Sequence, residues 1–96
     1  MTVIWRYPVE PGVRDFFVSV PRGSRFMKCV VKDGEPQLYF RINDPKAEPA
    51  DVMFFVVPTG VELTELEQRG VYIDTFVINE PGGSLAFHLF IEATNA

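Results

Sequence analysis

One histidine and one cysteine carry the reactive chemistry available to this 96-residue chain. His88 sits between Phe87 and Leu89. A functional histidine there would be a general base or a metal ligand. Its apolar neighbours favour instead a half-buried ring hydrogen-bonded within its own sheet. Cys29 falls on the apolar side of an alternating segment, with Met27 and Val31. A nucleophilic thiol needs a nearby base and an electropositive pocket, so this pattern predicts a buried, inert one. Ser24 closes the turn Pro21-Arg22-Gly23-Ser24, and nothing beside it suggests a triad. Asp44, Glu48 and Asp51 surround Pro45 and Pro49. Clustered carboxylates suit a hard cation, but this spacing matches no EF-hand loop, so they read as solvated acids. Gly82-Gly83 follows no strand-to-helix unit and is no dinucleotide fingerprint. No His, Cys, Asp and Glu set has metal spacing. The expectation is no catalytic residue, no metal, no cofactor and no enzyme.

Binding chemistry is better represented. Trp5 and Tyr7 share one face of the first strand segment, with Arg6 on the other. Trp, Tyr and Arg dominate interface hot spots, so Trp5, Arg6 and Tyr7 are the candidate partner-binding residues. The plainer reading makes Trp5 the largest core residue. A second candidate set is Arg22, Arg25 and Lys28 with the Gly23 turn, which would suit an anionic small ligand at a subunit junction.

Charge is spread unevenly along the chain. The net charge is −4, yet residues 1–41 carry seven basic side chains against four acids, and residues 42–96 carry two against nine. If the halves form different surfaces, the molecule is electrically polar, which suits self-association or a charged protein partner. If the strands interleave, the asymmetry cancels. An acidic chain without a basic stripe is a poor unaided reader of phosphate backbones, so no direct nucleic-acid binding is expected.

The elements that must position these residues are mostly strands. Val3–Tyr7 ends at Pro8 and Pro11-Gly12. Asp15–Val20 alternates Phe16, Val18 and Val20 against Asp15, Phe17 and Ser19. Arg25–Lys32 alternates Phe26, Lys28, Val30 and Lys32 against Met27, Cys29 and Val31. Asp33-Gly34 is the chemistry of a two-residue hairpin turn. Gln37–Ile42 puts Leu38, Phe40 and Ile42 on one face and Gln37, Tyr39 and Arg41 on the other. After a loop over Asn43–Ala50, the unbroken apolar run Val52–Val57 predicts a central strand covered on both faces. Glu62–Arg69 is the single helical candidate, with Thr64 and Glu67 as a capping box and Gly70 at the position after its end. Val71–Ile78 and Leu85–Glu92 complete the set. The sum is one all-β domain over 1–96: a small antiparallel β-sandwich or barrel of about seven strands with at most one short helix. Phe17, Phe26 and Phe90 lie on the more polar sides of their strands and are candidates for a second apolar surface, hence for a homodimer or larger.

A single cysteine excludes an intrachain disulfide, the N-terminus carries no secretory pattern, and no apolar run approaches membrane length. A soluble cytoplasmic protein is the expectation.

Six segments in order resemble a family of small uncharacterised proteins of tailed bacteriophages and prophages. Val3-Ile4-Trp5-Arg6-Tyr7-Pro8-Val9 is similar to that family's Ile-Trp/His-Lys-Tyr-Pro-Leu start. Val20-Pro21-Arg22-Gly23-Ser24-Arg25-Phe26 resembles its Met-Pro-x-Gly-Ala-x-Ile/Leu segment, and Gly34-Glu35-Pro36-Gln37-Leu38-Tyr39 its Gly-x-Pro-x-Leu-Trp hairpin exit. Thr59-Gly60, Tyr72-Ile73-Asp74-Thr75-Phe76 and Phe87-His88-Leu89-Phe90-Ile91-Glu92 resemble its later motifs, with Pro58 and Asp74 standing where the family has glycine. The resemblance implies phage origin and brings no activity or cofactor with it. The expected function is therefore a phage-encoded, non-catalytic accessory protein that binds a protein in the cytoplasm of the infected host, in its sharpest form an anti-defence, anti-CRISPR-like inhibitor. The alternatives are an oligomer that sequesters a nucleotide signal and a minor virion structural protein.

Overall fold

Asp33 and Gly34 both take positive φ, 53° and 78°, as the two-residue turn requires. They close the hairpin between β3 (Arg25–Lys32) and β4 (Glu35–Ile42), with Lys32 opposite Glu35. The computed structural model describes residues 1–9 and 14–95, so the Pro11-Gly12 stop lies outside the described residues. The remaining strands are β1 (Val3–Pro8), β2 (Asp15–Pro21), β5 (Pro49–Pro58), β6 (Val71–Glu80) and β7 (Gly83–Ile91). One short helix, α1 (Glu65–Gln68), and a closing 3-10 turn, Ala93–Asn95, complete the described chain. β5 begins three residues before the expected Val52, because its ladder with β2 runs on to Pro21 opposite Pro49.

Every strand pair is antiparallel. The strands form two sheets, β1-β4-β3 and β2-β5-β7-β6, with a core between them. This is the expected all-β, sandwich-like fold. Phe16, Val18 and Val20 of β2, Leu38, Phe40 and Ile42 of β4, and Leu89 and Ile91 of β7 are buried, as their alternation predicts. Phe40 meets Phe54 edge-on at 6.0 Å, and Phe26 contacts both rings. Each such ring contributes about 1.5–3 kcal/mol when fully buried.

The central, doubly covered strand is β5. Phe54 and Val56 face the core, while Phe55 and Val57 are buried on the opposite, outer face. Their cover is the segment 59–70. Thr64 caps α1 by accepting from the Glu67 N–H at 3.2 Å, and Glu67 Oε1 accepts from the Thr64 N–H at 2.8 Å, completing the expected capping box. Gly70 stands where expected, directly after the C-cap Arg69 with its N–H donating to Glu67 O at 3.0 Å, and does so without a left-handed φ. Its role is close approach: a Cβ there would stand 3.2 Å from Phe55 Cδ2, 3.2 Å from Glu67 O and 3.3 Å from Ile91 O.

The strict alternation expected of β3 also needs correction. A bulge between Phe26 and Lys28 inserts Met27, so Phe26 opposes Phe40 and Cys29 opposes Leu38 on the same inner face. Phe26 thus packs against the core and belongs to no second apolar surface. Phe17 does point outward, 63% exposed, and Phe90 is half-buried on the outer face beside Tyr72.

Candidate interaction faces

Antiparallel pairing puts directly opposite residues on the same side of a sheet. Across β1-β4-β3 the outward rungs are Ile4, Arg41 and Arg25, then Arg6, Tyr39 and Lys28, then Pro8, Gln37 and Val30. Lys32 and Glu35 follow. Five exposed cations, Arg6, Arg25, Lys28, Lys32 and Arg41, therefore share one face with a single acid, Glu35. None of the five lies within 4.0 Å of an acid among the described residues. The bulge matters here, because it turns Lys28 outward onto this face while Phe26 stays inside.

The structure thus regroups the candidates. Arg6 joins Arg25 and Lys28. Trp5 and Tyr7 project to the other side of β1, where Tyr7 meets Phe40 edge-on at 5.5 Å. Trp5, in edge strand β1, is 41% exposed, so it is not the core anchor of the plainer reading. Arg22 and Gly23 stay in the turn before β3. There the Arg22 N–H donates to Glu48 O at 2.8 Å, and Gly23 O accepts from Asn43 Nδ2 at 3.0 Å. Arg41, Lys32 and Tyr39 were absent from the sequence candidates. The alternation of β4 had placed Arg41 and Tyr39 on a wet face, but not which strands would flank them.

The opposite outer face, on β2-β5-β7-β6, is acidic. Asp15 and Asp51 are exposed on its strands, and Glu62 and Glu65 on the covering segment, where exposed Arg69 lies 3.9 Å from Glu65. Glu67 is fully buried there and takes a two-pronged contact from Arg14, with Nε and Nη2 each at 2.6 Å from a carboxylate oxygen. Arg14 Nη2 also donates to Glu62 O at 2.6 Å, tying the segment to the start of β2. Burial pushes the Glu67 carboxyl up, but hydrogen bonds from Arg14 and Thr64 outweigh that and hold it below the usual range. Asp15 is pushed the other way, by burial and by its neighbour Glu67. The charge asymmetry of the sequence survives folding: β1, β3 and β4 form one sheet, and β2 joins the acidic strands.

His88 lies on this acidic-side face, half-buried. Thr59 Oγ1 donates to Ala86 O at 3.3 Å, so it accepts from His88 Nε2 at 2.8 Å. Nδ1 is hydrogen-bonded to Thr75 Oγ1 at 3.0 Å, which is hydrogen-bonded in turn to the Tyr72 hydroxyl at 2.5 Å. Both nitrogens are thus engaged by hydroxyls, one from β6 and one from the turn that follows β5.

Cys29 is buried, and its thiol is pushed up to about 11, first by burial and then by the nearby Asp74 charge. Ser24 spends its hydroxyl on Pro21 O at 2.5 Å. In the acidic loop, Asp44 Oδ1 accepts from the Lys46 N–H at 3.1 Å. Among the described residues no three His, Cys, Asp or Glu side chains are placed to hold a metal, and no helix is long and apolar enough to cross a membrane. A cavity of about 750 Å³ opens at one end of the sandwich, walled by Val9, Val56, Phe76 and Phe87 with Glu35 and Glu80 on its lining. Arg14, already held by Glu67, also lines it, and Arg22, Arg25 and Lys28 take no part in it.

The whole chain, residues 1–96, matches a family described as a domain of unknown function (DUF7352). No curated protein matches it. No solved structure matches it either.

Proposed function

We propose, from the premise that the chain belongs to the DUF7352 family of unknown function, that it is a phage-encoded accessory protein that acts by surface recognition of protein in the infected bacterial cell. It carries out no chemistry of its own. The supporting observation is the outer face of β1-β4-β3, where five cations stand exposed without an acid partner among the described residues. Charged faces of this kind steer encounter and select partners. The groups that would serve an enzyme are engaged within the fold: His88 by two threonine hydroxyls and Cys29 by burial. An anti-defence role is the sharpest form of this reading, since occupying an enzyme's surface suffices to inhibit it.

The test is affinity capture from infected-cell lysate on immobilised protein. The expected result is a discrete protein retained by the wild type, lost with Arg25→Glu plus Arg41→Glu, and kept with Arg22→Glu plus Lys46→Glu away from that face. Equal retention by all three would contradict it.

A further inference from the structure

The two outer faces are complementary to each other. One carries Arg6, Arg25, Lys28, Lys32 and Arg41; the other carries Asp15, Asp51, Glu62 and Glu65, of which only Glu65 has a cation in ion-pair reach among the described residues, Arg69 at 3.9 Å. They lie on opposite sides of a slab whose Cα extents are 45 × 32 × 17 Å. We propose that the basic face of β1-β4-β3 docks on the acidic outer face of β2-β5-β7-β6 of a second copy of this chain, head to tail. This deepens the surface-recognition reading and rests on it.

Three observations carry the inference. First, Arg25 and Arg41 are directly opposite neighbours with no acid in reach among the described residues, an arrangement that costs the isolated protein stability. Acids from a neighbour would relieve that repulsion. Second, each face also exposes apolar surface among its charges. Ile4 is 58% exposed on the basic face, and Phe17 and Tyr72 are 63% and 54% exposed on the acidic one. Charge complementarity sets register while such groups supply apolar burial. Third, the long dimensions of 45 and 32 Å leave ample room for the roughly 800 Å² per partner of a standard interface.

Nucleic acid fits the basic face less well. The chain is acidic overall at −4, and the outward rungs offer one aromatic, Tyr39, where single-strand binders stack successive bases. The two docking patches differ, so the contact is heterologous. It leaves one free face at each end, and association either closes into a ring or continues.

The experiment is sedimentation of the purified full chain. At low salt the mean mass should rise with concentration. At about 1 M salt, where the Debye length is about 3 Å, it should return to the monomer. Arg25→Gln with Arg41→Gln, and separately Asp51→Asn with Glu62→Gln, should each weaken association at least about tenfold. Mixed together, these two variants retain one intact pair of faces and should form a one-to-one complex that grows no further. A wild type that stays monomeric at low salt overturns the inference, as does a mixture that stays monomeric. A monomeric wild type that still captures an infected-cell protein through Arg25 and Arg41 overturns it and leaves the surface-recognition reading standing. A monomeric protein that binds an oligo-dT strand overturns it in favour of a nucleic-acid occupant.

Discussion

Arg25 and Arg41 face each other across β3 and β4, both exposed, with no acid in ion-pair reach among the described residues. Opposite charges at such a site add about 0.2–1 kcal/mol and like charges subtract. The sequence therefore holds a locally unfavourable pair where a salt bridge was available by one substitution. That is the pattern expected where a surface is kept for a partner.

The stability side of that trade is measurable. Arg41→Glu should raise the urea midpoint, by about 0.2–1 kcal/mol in unfolding free energy, while weakening association. A lower midpoint with unchanged association would show that the pair has no such role.

Gly70 gives a packing test. A Cβ at this position meets the backbone oxygens of Glu67 and Ile91 at 3.2 and 3.3 Å, and neither can rotate away as a side chain would. Gly70→Ala should cost about 1–3 kcal/mol in denaturant unfolding. A neutral result would mean that the segment over Phe55 is free to shift outward.

The Arg14–Glu67 pair sets a pH dependence. Glu67 is held below the usual range in the folded protein. Its contribution is therefore present above the unfolded glutamate value, about 4.3, and is lost as pH falls through the lower folded value. Asp15, pushed up by burial and by Glu67, works in the opposite sense, so the comparison belongs in an Asp15→Asn background. There, Glu67→Gln should destabilise at pH 7, and the difference should shrink progressively in acid. A difference independent of pH would assign Glu67 a purely steric role.

Cys29 should react slowly. Its burial and its pKa of about 11 leave little exposed thiolate at neutral pH. A native-state thiol reagent should label it only as the protein opens, with rapid labelling in urea. Labelling at the rate of a free thiol would contradict the inward register of Cys29 opposite Leu38.

Much of the architecture was legible from alternation and turn chemistry. β2, β4 and β7 show their two faces in the residues themselves, and Asp33-Gly34 and the Thr64–Glu67 capping box are local signals that folded as read. Phe26 was misassigned because a period of two assumes that no residue is inserted, and Met27 breaks it. Gly70 is legible as the residue after the helix, while its close contact with Phe55 leaves no local trace. The basic face was legible only in pieces. Arg6, Arg25, Lys28 and Arg41 meet because β1 and β3 flank β4, and that pairing is set by the whole core. Arg14 and Glu67, far apart in the chain, show the same limit.

We propose that the protein works through its basic sheet face and not through acid–base chemistry. The most direct measurement compares folded His88→Gln with folded Arg25→Glu plus Arg41→Glu in infected cells, scoring the protein's effect on infection alongside partner capture. His88→Gln should keep both, because the ring is hydrogen-bonded only within its own fold, and the double arginine variant should lose both. A His88→Gln protein that captures its partner yet loses all effect would contradict it.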